Sequence, residues 1–253
     1  MDVYPIPRIH DLVHEIAKYK VFSQLDLKNA YYQVPLKEEE KLFTAFEADG
    51  QLFHYNRVPF GLTNAVSAFQ RIMNTITTDN NLSATYAYID DVIICGNSQE
   101  EHDRNLKNFK DITKKYNITL NESKCHYSLK KINYLGYTIA NGSLCPDPER
   151  LKPLMNLPAP WDPASLRRTL GLLSYYSQWI PNYSSRIQPL LGCKDFPINS
   201  EAARCLDSLK DDIGRPSLAA WDEDPPLEVE TDASDNSLGA TLSQVGRPIA
   251  FFS

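Results

Sequence analysis

The sequence predicts an α+β fold in which helices and antiparallel hairpins succeed one another along 253 residues. Three features predict it. Apolar residues recur at helical spacing in residues 8–20, 63–78 and 98–116. Asp49-Gly50 and Asn141-Gly142 sit between strand-like runs, and such pairs accept the left-handed backbone of tight hairpins. A proline-rich joint at residues 146–163 marks a domain boundary.

The first helix runs from Arg8 to Lys20, with Ile9, Leu12, Val13, Ile16 and Ala17 on one face. Val21–Leu25 reads as a strand ending at Asp26, and residues 41–57 read as a hairpin about Asp49-Gly50. A helix over Thr63–Thr78 places Val66, Phe69, Met73 and Ile76 on one stripe. Ala84–Cys95 is a strand-like run with two acids in its middle. Ser98 with Glu101 forms a capping box that opens a helix striped by Leu106, Phe109, Ile112 and Tyr116. A second hairpin follows at Asn141-Gly142. Asp162 caps a helix with Pro163 at its first position. Leu166, Leu170, Leu173 and Ile180 give that helix an apolar side, and Arg167 and Arg168 point elsewhere. From Trp221 the chain turns acidic and strand-like.

Hydrophobic residues make up 42% and charged residues 23%, ordinary for a globular protein long enough to bury a core. No apolar run is long enough to span a bilayer, and the first residues carry acids and prolines where a signal peptide has an apolar segment. An intracellular, by default cytoplasmic, protein is expected. Cys95, Cys125, Cys145, Cys193 and Cys205 form no C-x-x-C pair, which points to reduced thiols. The net charge of −6 does not advertise a nucleic-acid binder. Its distribution alters that reading: Asn199–Ser253 holds 11 acids and 4 bases, leaving 21 acids and 22 bases in residues 1–198. A near-neutral body can still bind phosphates through a local basic face.

The most informative stretch is Tyr86-Ala-Tyr-Ile-Asp-Asp-Val-Ile-Ile, where Asp90 and Asp91 lie between apolar runs with no glycine or asparagine to mark a hairpin turn. Two adjacent carboxylates near a core repel each other and lose hydration, a cost that a divalent cation offsets. An exposed acidic turn is the plainer alternative. Asp26, between Leu25 and Leu27, shows the same conflict, and a strand-end or helix-capping acid is its plainer alternative. Together the three acids make a carboxylate cluster suited to magnesium, which prefers a few carboxylates plus substrate phosphates. Two such ions serve in-line phosphoryl displacement.

Tyr88-Ile89-Asp90-Asp91 resembles the YxDD box of reverse transcriptases. LDLKNAYYQVPL (25–36) resembles their first catalytic-aspartate motif, VPFGLTNAVSAFQ (58–70) their nucleotide-pocket segment, and NYLGYTI (133–139) their primer-gripping hairpin. SLRRTLGLLSYYSQWIPNYS (165–184) resembles the thumb segment of gypsy-type elements. Five motifs in order, over essentially the whole chain, resemble the reverse transcriptase of gypsy-type long-terminal-repeat retrotransposons.

The resemblance implies a right-hand polymerase fold with an antiparallel palm sheet: partial fingers and palm over 1–145, thumb and connection over 146–220, and the start of a ribonuclease H-like domain over 221–253. It implies Asp26, Asp90 and Asp91 as catalytic acids and ligands of two Mg2+ ions, with Mn2+ as a substitute, and the backbone carbonyl of Leu27 as a further ligand. Tyr31 would lie beneath the sugar and exclude a 2′-hydroxyl, and Phe60 would pack on the nucleotide; core packing is the alternative for both. Leu135 and Gly136 would hold the primer terminus. Arg167 and Arg168 would contact template-primer phosphates, against the alternative of a solvated helix face. Partners would be an RNA or DNA template-primer duplex and deoxynucleoside triphosphates.

LEVETDASDNSLGATLSQ (227–244) resembles the opening of ribonuclease H, with Asp232 as its first metal-binding acid. The later acids of that site would lie beyond Ser253, so ribonuclease H activity is not expected. YPIPRI (4–9) resembles a point well inside the fingers, so the triphosphate clamp is expected to be incomplete. The reading is therefore an RNA-directed DNA polymerase. The alternative is a non-catalytic remnant that binds nucleic acid or a protein partner.

Overall fold

The computed structural model describes residues 4–214, 218–222, 224–234 and 237–253. The chain forms two compact units, one of residues up to Leu12 with Tyr19–Ile132, the other of Val13–Lys18 with Asn133–Ser253. The α+β expectation holds: helices alternate with antiparallel hairpins.

Helix α1 (Ile9–Ala17), whose residues from Val13 on belong to the second unit, leads into β1 (Val21–Asp26) of the first. A short turn of helix, α2 (Glu38–Lys41), precedes the hairpin β2 (Phe46–Ala48) and β3 (Gln51–Phe53). This hairpin is shorter than residues 41–57 suggested, because Leu42–Thr44 winds into a 3-10 turn. Then come α3 (Ala65–Asp79), β4 (Thr85–Tyr88), β5 (Asp91–Gly96), α4 (Gln99–Lys115) and β6 (His126–Leu129). The main sheet is antiparallel in the order β4-β5-β1-β6.

Its inner residues Leu25, Val92 and Ile94 pack with Phe69 and Met73 of α3 and Phe109 of α4 in one apolar cluster. Each such buried side chain contributes about 1.5–3 kcal/mol of transfer free energy. The stripes on α3 and α4 face this cluster as their periodicity predicts, although Val66 is only half-buried and Tyr116 ends α4 as an exposed cap. Gly96 is required where β5 meets α4: a Cβ there would stand 2.5 Å from the backbone nitrogen of His102. Ser98 caps α4 by accepting from the Glu101 N–H, and the Glu101 carboxylate reaches past the cap to the N–H of Asn97.

The second unit holds the sheet β10-β9-β8-β7, from β7 (Lys131–Tyr134), β8 (Tyr137–Ala140), β9 (Ser143–Pro146) and β10 (Leu218–Ala219). Asn141 and Gly142 turn β8 into β9 with φ of 49° and 71°, both left-handed. Because β9 pairs with β10 far along the chain, this hairpin belongs to the second unit, and the division falls ahead of the proline-rich joint. The joint carries α5 (Pro148–Met155) and leads to α6 (Pro163–Tyr175). Asp162 and Ser165 make a full capping box at its start. Ile180 lies beyond α6, after a separate 3-10 turn, and is fully buried.

Two single-turn helices, α7 (Tyr183–Arg186) and α8 (Gln188–Leu191), precede α9 (Ser200–Gly214). Lys210 of α9 donates to the carbonyl of Leu157 at 2.6 Å, placing a cation just beyond the C-terminal end of α5. The chain ends in an antiparallel sheet of β11 (Glu228–Ala233), β12 (Leu238–Gln244) and β13 (Arg247–Phe252). Among the described residues no helix is long and apolar enough to cross a membrane.

Candidate functional site

The two acids at positions 90 and 91 sit at the tip of a hairpin that the sequence did not mark. Tyr88 pairs with Asp91 in the β4–β5 ladder, so Ile89 and Asp90 alone make the turn. Ile89 takes the left-handed conformation at φ 56°, which costs a β-branched residue about 1–2 kcal/mol. Gln70, fully buried on α3, supports it. Its side-chain oxygen accepts the Ile89 N–H at 2.8 Å and its amide donates to the Ala87 carbonyl at 2.9 Å. The Asp90 carbonyl accepts the Leu27 N–H at 3.0 Å, which ties the turn to the end of β1.

That tie brings the third acid into place. Asp26 is the cross-strand partner of Asp91 on the main sheet. Asp90 is exposed, whereas Asp26 and Asp91 are half-buried. Burial first, then Asp90 and Asp26, push the Asp91 carboxyl up to about 6, with Lys124 opposing. The site thus holds more negative charge than its protein surroundings compensate. Lys124 places its ammonium 3.7 Å from the Asp26 carboxylate.

Asp26, Asp90, Leu27, Tyr31, Phe60 and Lys124 line one cleft of about 310 Å³. The Tyr31 ring stands edge-on to Phe60 and Phe69, with centroids 5.4 and 5.6 Å away. Burial, then the charge of Asp90, raises the pKa of its hydroxyl. Phe60 is 61% exposed, so core packing does not account for it.

The donor set is carboxylate-only, the kind a hard divalent cation takes. Among the described residues no three His, Cys, Asp or Glu side chains close into a ready-made ion cage. Carboxylates on an open edge, with uncompensated charge, fit magnesium, which keeps waters and recruits substrate phosphates as ligands.

The remaining expected residues belong to the second unit. Leu135 and Gly136 form the turn between β7 and β8, both left-handed at φ 50° and 92°. Gly136 accepts the Asp147 N–H at 3.0 Å. Arg167 and Arg168 lie exposed along α6. Asp232 sits on exposed β11 opposite Gly239 and lines a small pocket with Asn182, Ser185 and Ser234. Two residues of the first unit escaped the sequence reading. Gln70 carried a signal, a lone amide within an apolar helical stripe. Lys124 carried none, since it lies in an ordinary polar stretch.

Residues 1–139 match the family model described as reverse transcriptase (RNA-dependent DNA polymerase). The chain belongs to the reverse transcriptase family. Among its relatives are two retrovirus-related Pol polyproteins of Drosophila melanogaster. That of transposon 297 is 34% identical over 258 residues, covering 100% of this chain and 24% of the polyprotein. That of transposon gypsy is 30% identical over 269 residues, covering 100% of this chain and 26% of the polyprotein. The resemblance to gypsy-type elements is thereby borne out, and the chain spans about a quarter of the length of these relatives. In fold it is similar to a foamy viral protease-reverse transcriptase solved with double-stranded DNA. The TM-score is 0.82 at 22% identity, over 100% of this chain and 55% of that one. A second structure of a foamy viral protease-reverse transcriptase, with an RNA/DNA hybrid, gives a TM-score of 0.79 at 21% identity, over 99% of this chain and 35% of that one.

Proposed function

We propose that this chain is the polymerase part of a retrotransposon reverse transcriptase and adds deoxynucleotides to a primer 3′-hydroxyl on an RNA or DNA template. One observation carries the proposal: Asp26 and Asp90 open into the same cleft as Tyr31 and Phe60, with Asp91 paired across from Asp26. Structural neighbours bound to double-stranded DNA and to RNA/DNA hybrid support a duplex as the partner.

In this reading Asp26 and Asp90, supported by Asp91, would hold two magnesium ions. The chemistry such ions would supply there is polarisation of the attacking hydroxyl and neutralisation of charge on the transferring phosphoryl group. The chain's own residues position the reactants. The Ile89–Asp90 turn, fixed by Gln70 and by Leu27, sets the direction of the Asp90 carboxylate. Tyr31, braced by Phe60 and Phe69, fills the volume under the sugar and excludes a 2′-hydroxyl. Phe60 offers its exposed ring to the incoming nucleotide. Lys124 screens Asp26 before substrate arrives and then faces the phosphates. Leu135 and Gly136 would hold the primer terminus, and Arg167 and Arg168 template-primer phosphates.

Primer extension on an RNA template with a DNA primer, magnesium and deoxynucleotides tests the proposal. Extension is expected, and it should vanish in the Asp90→Asn, Asp91→Asn double variant. Equal extension by the two proteins would remove these acids from the site.

A further inference from the structure

Lys124 reaches the cleft from a three-residue 3-10 turn, Glu122–Lys124, the short form in which such turns usually serve as connectors. One end of the turn is tied to the catalytic strand. Asn121 donates its N–H to the Asp26 carbonyl at 2.8 Å, Leu27 bridges Leu120, and the Lys124 N–H returns to the Asn121 carbonyl at 2.9 Å. The other end is tied by side chains. Tyr127 sits on β6, which pairs with β1 at His126 and Leu129 on either side of a ladder irregularity, and its ring packs against the apolar cluster of the first unit. Its hydroxyl donates to the Glu122 carboxylate at 2.6 Å, a short charge-assisted bond. The Lys110 ammonium lies over the same ring, 4.3 Å from its centroid. Burial first, then the Glu122 bond, raise the pKa of the Tyr127 hydroxyl, so it remains the donor.

We propose that Tyr127 and Glu122 form a brace, steadied by Lys110, that positions Lys124 over Asp26. Neither Tyr127 nor Glu122 lines the cleft, so both are positioning residues that act through Lys124. Cys125, which follows Lys124, is buried in the same apolar cluster and returns its N–H to the Glu122 carbonyl at 3.3 Å, so the backbone is held on both sides of the turn and the brace acts on the Glu122–Lys124 segment between them. Ser123, which donates to the Asn121 side chain at 2.9 Å, closes the turn on itself and anchors it to nothing else. The catalytic consequence rests on the polymerase reading, whereas the brace itself can be tested without it.

The test is Tyr127→Phe, which keeps the ring and removes the hydroxyl. Amide hydrogen exchange in chelator is read first. Exchange at Lys124 and Cys125 should rise about tenfold or more, the loss of one charge-assisted bond, while Ile93 and Ile94 in β5 stay protected. Glu122→Gln, which retains an acceptor, should show most of the wild-type protection. Unchanged exchange at Lys124 and Cys125 would overturn the brace. Primer extension is read second. Tyr127→Phe should lower kcat several-fold with the deoxynucleotide KM unchanged, and should have no further effect in a Lys124→Met background. An equal fall in both backgrounds would overturn positioning through Lys124. If the wild-type chain extends no primer while its exchange responds as expected, the polymerase reading fails and the brace stands.

Discussion

Gln70→Leu is the perturbation whose magnitude the structure defines best. The substitution keeps the volume of a fully buried side chain and removes two hydrogen bonds, one from the Ile89 N–H in the turn at 2.8 Å and one to the Ala87 carbonyl on β4 at 2.9 Å. The amide also meets Asn74 at 2.9 Å, which in turn donates to the Tyr4 hydroxyl. Each buried partner left unpaired costs about 1–3 kcal/mol, so the variant should lose about 2–6 kcal/mol. A domain stable by more than about 6 kcal/mol, within the usual range of about 5–15, stays folded after such a loss. Urea unfolding should show a lower midpoint at an unchanged m value.

The loss should act on the turn more than on the fold. Ile89 is left-handed at φ 56°, and without Gln70 it can relax toward an ordinary conformation and swing Asp90. Primer extension should therefore fall about tenfold or more at temperatures where the variant is fully folded. Adding Ile89→Gly to the Gln70→Leu variant should recover part of both losses, since glycine takes this conformation without the Cβ penalty of about 1–2 kcal/mol. An unfolding midpoint equal to wild type, or full activity in Gln70→Leu, would refute the assignment of Gln70 as the support of the turn.

Three further outcomes are expected. In chelator, Asp91→Asn should stabilise the protein at pH 7.5, because a folded carboxyl raised to about 6 from 3.8 is a cost fully present above pH 6; the gain should shrink as pH falls through 6 and vanish near 4, and urea midpoints against pH would show any opposite trend. Tyr31→Val should admit ribonucleotides about ten- to a hundredfold more readily, and an unchanged ratio of ribo- to deoxynucleotide incorporation would remove Tyr31 from the sugar gate. Ser23, His102 and Asp103 are connected like a hydrolase triad, at 2.8 and 2.9 Å, but Ser23 and His102 are fully buried and Ser23 also accepts the Ser128 N–H. Ser23→Ala should cost about 1–3 kcal/mol in urea unfolding and leave primer extension intact below the transition.

Sequence legibility followed the range of the forces involved. The cap at Asp162, the Asn141-Gly142 turn and the stripes of α3 and α4 are set by residues within a few positions of one another, and local chemistry revealed them. The Ile89–Asp90 turn was hidden because its support comes from Gln70, 19 residues away in sequence, and isoleucine is among the residues least suited to that backbone. Lys124 was hidden for the same reason at longer range: the docking of Asn121 onto Asp26, far away in sequence, helps bring it to the carboxylates. Asp26, Asp90 and Asp91 were legible because each broke an apolar pattern, and the register of β1 against β5 shows the conflict resolved at one sheet end. The extent of the second unit was not legible, since it depends on the remote pairing of β9 with β10.

If the three carboxylates and their aromatic cleft work together as proposed, this chain is a DNA polymerase. Primer extension with an RNA template, a DNA primer and magnesium, run beside the folded Asp90→Asn, Asp91→Asn variant, tests it most directly. Extension by the wild-type chain alone is expected. A folded wild-type chain that extends no more primer than the double variant would contradict it.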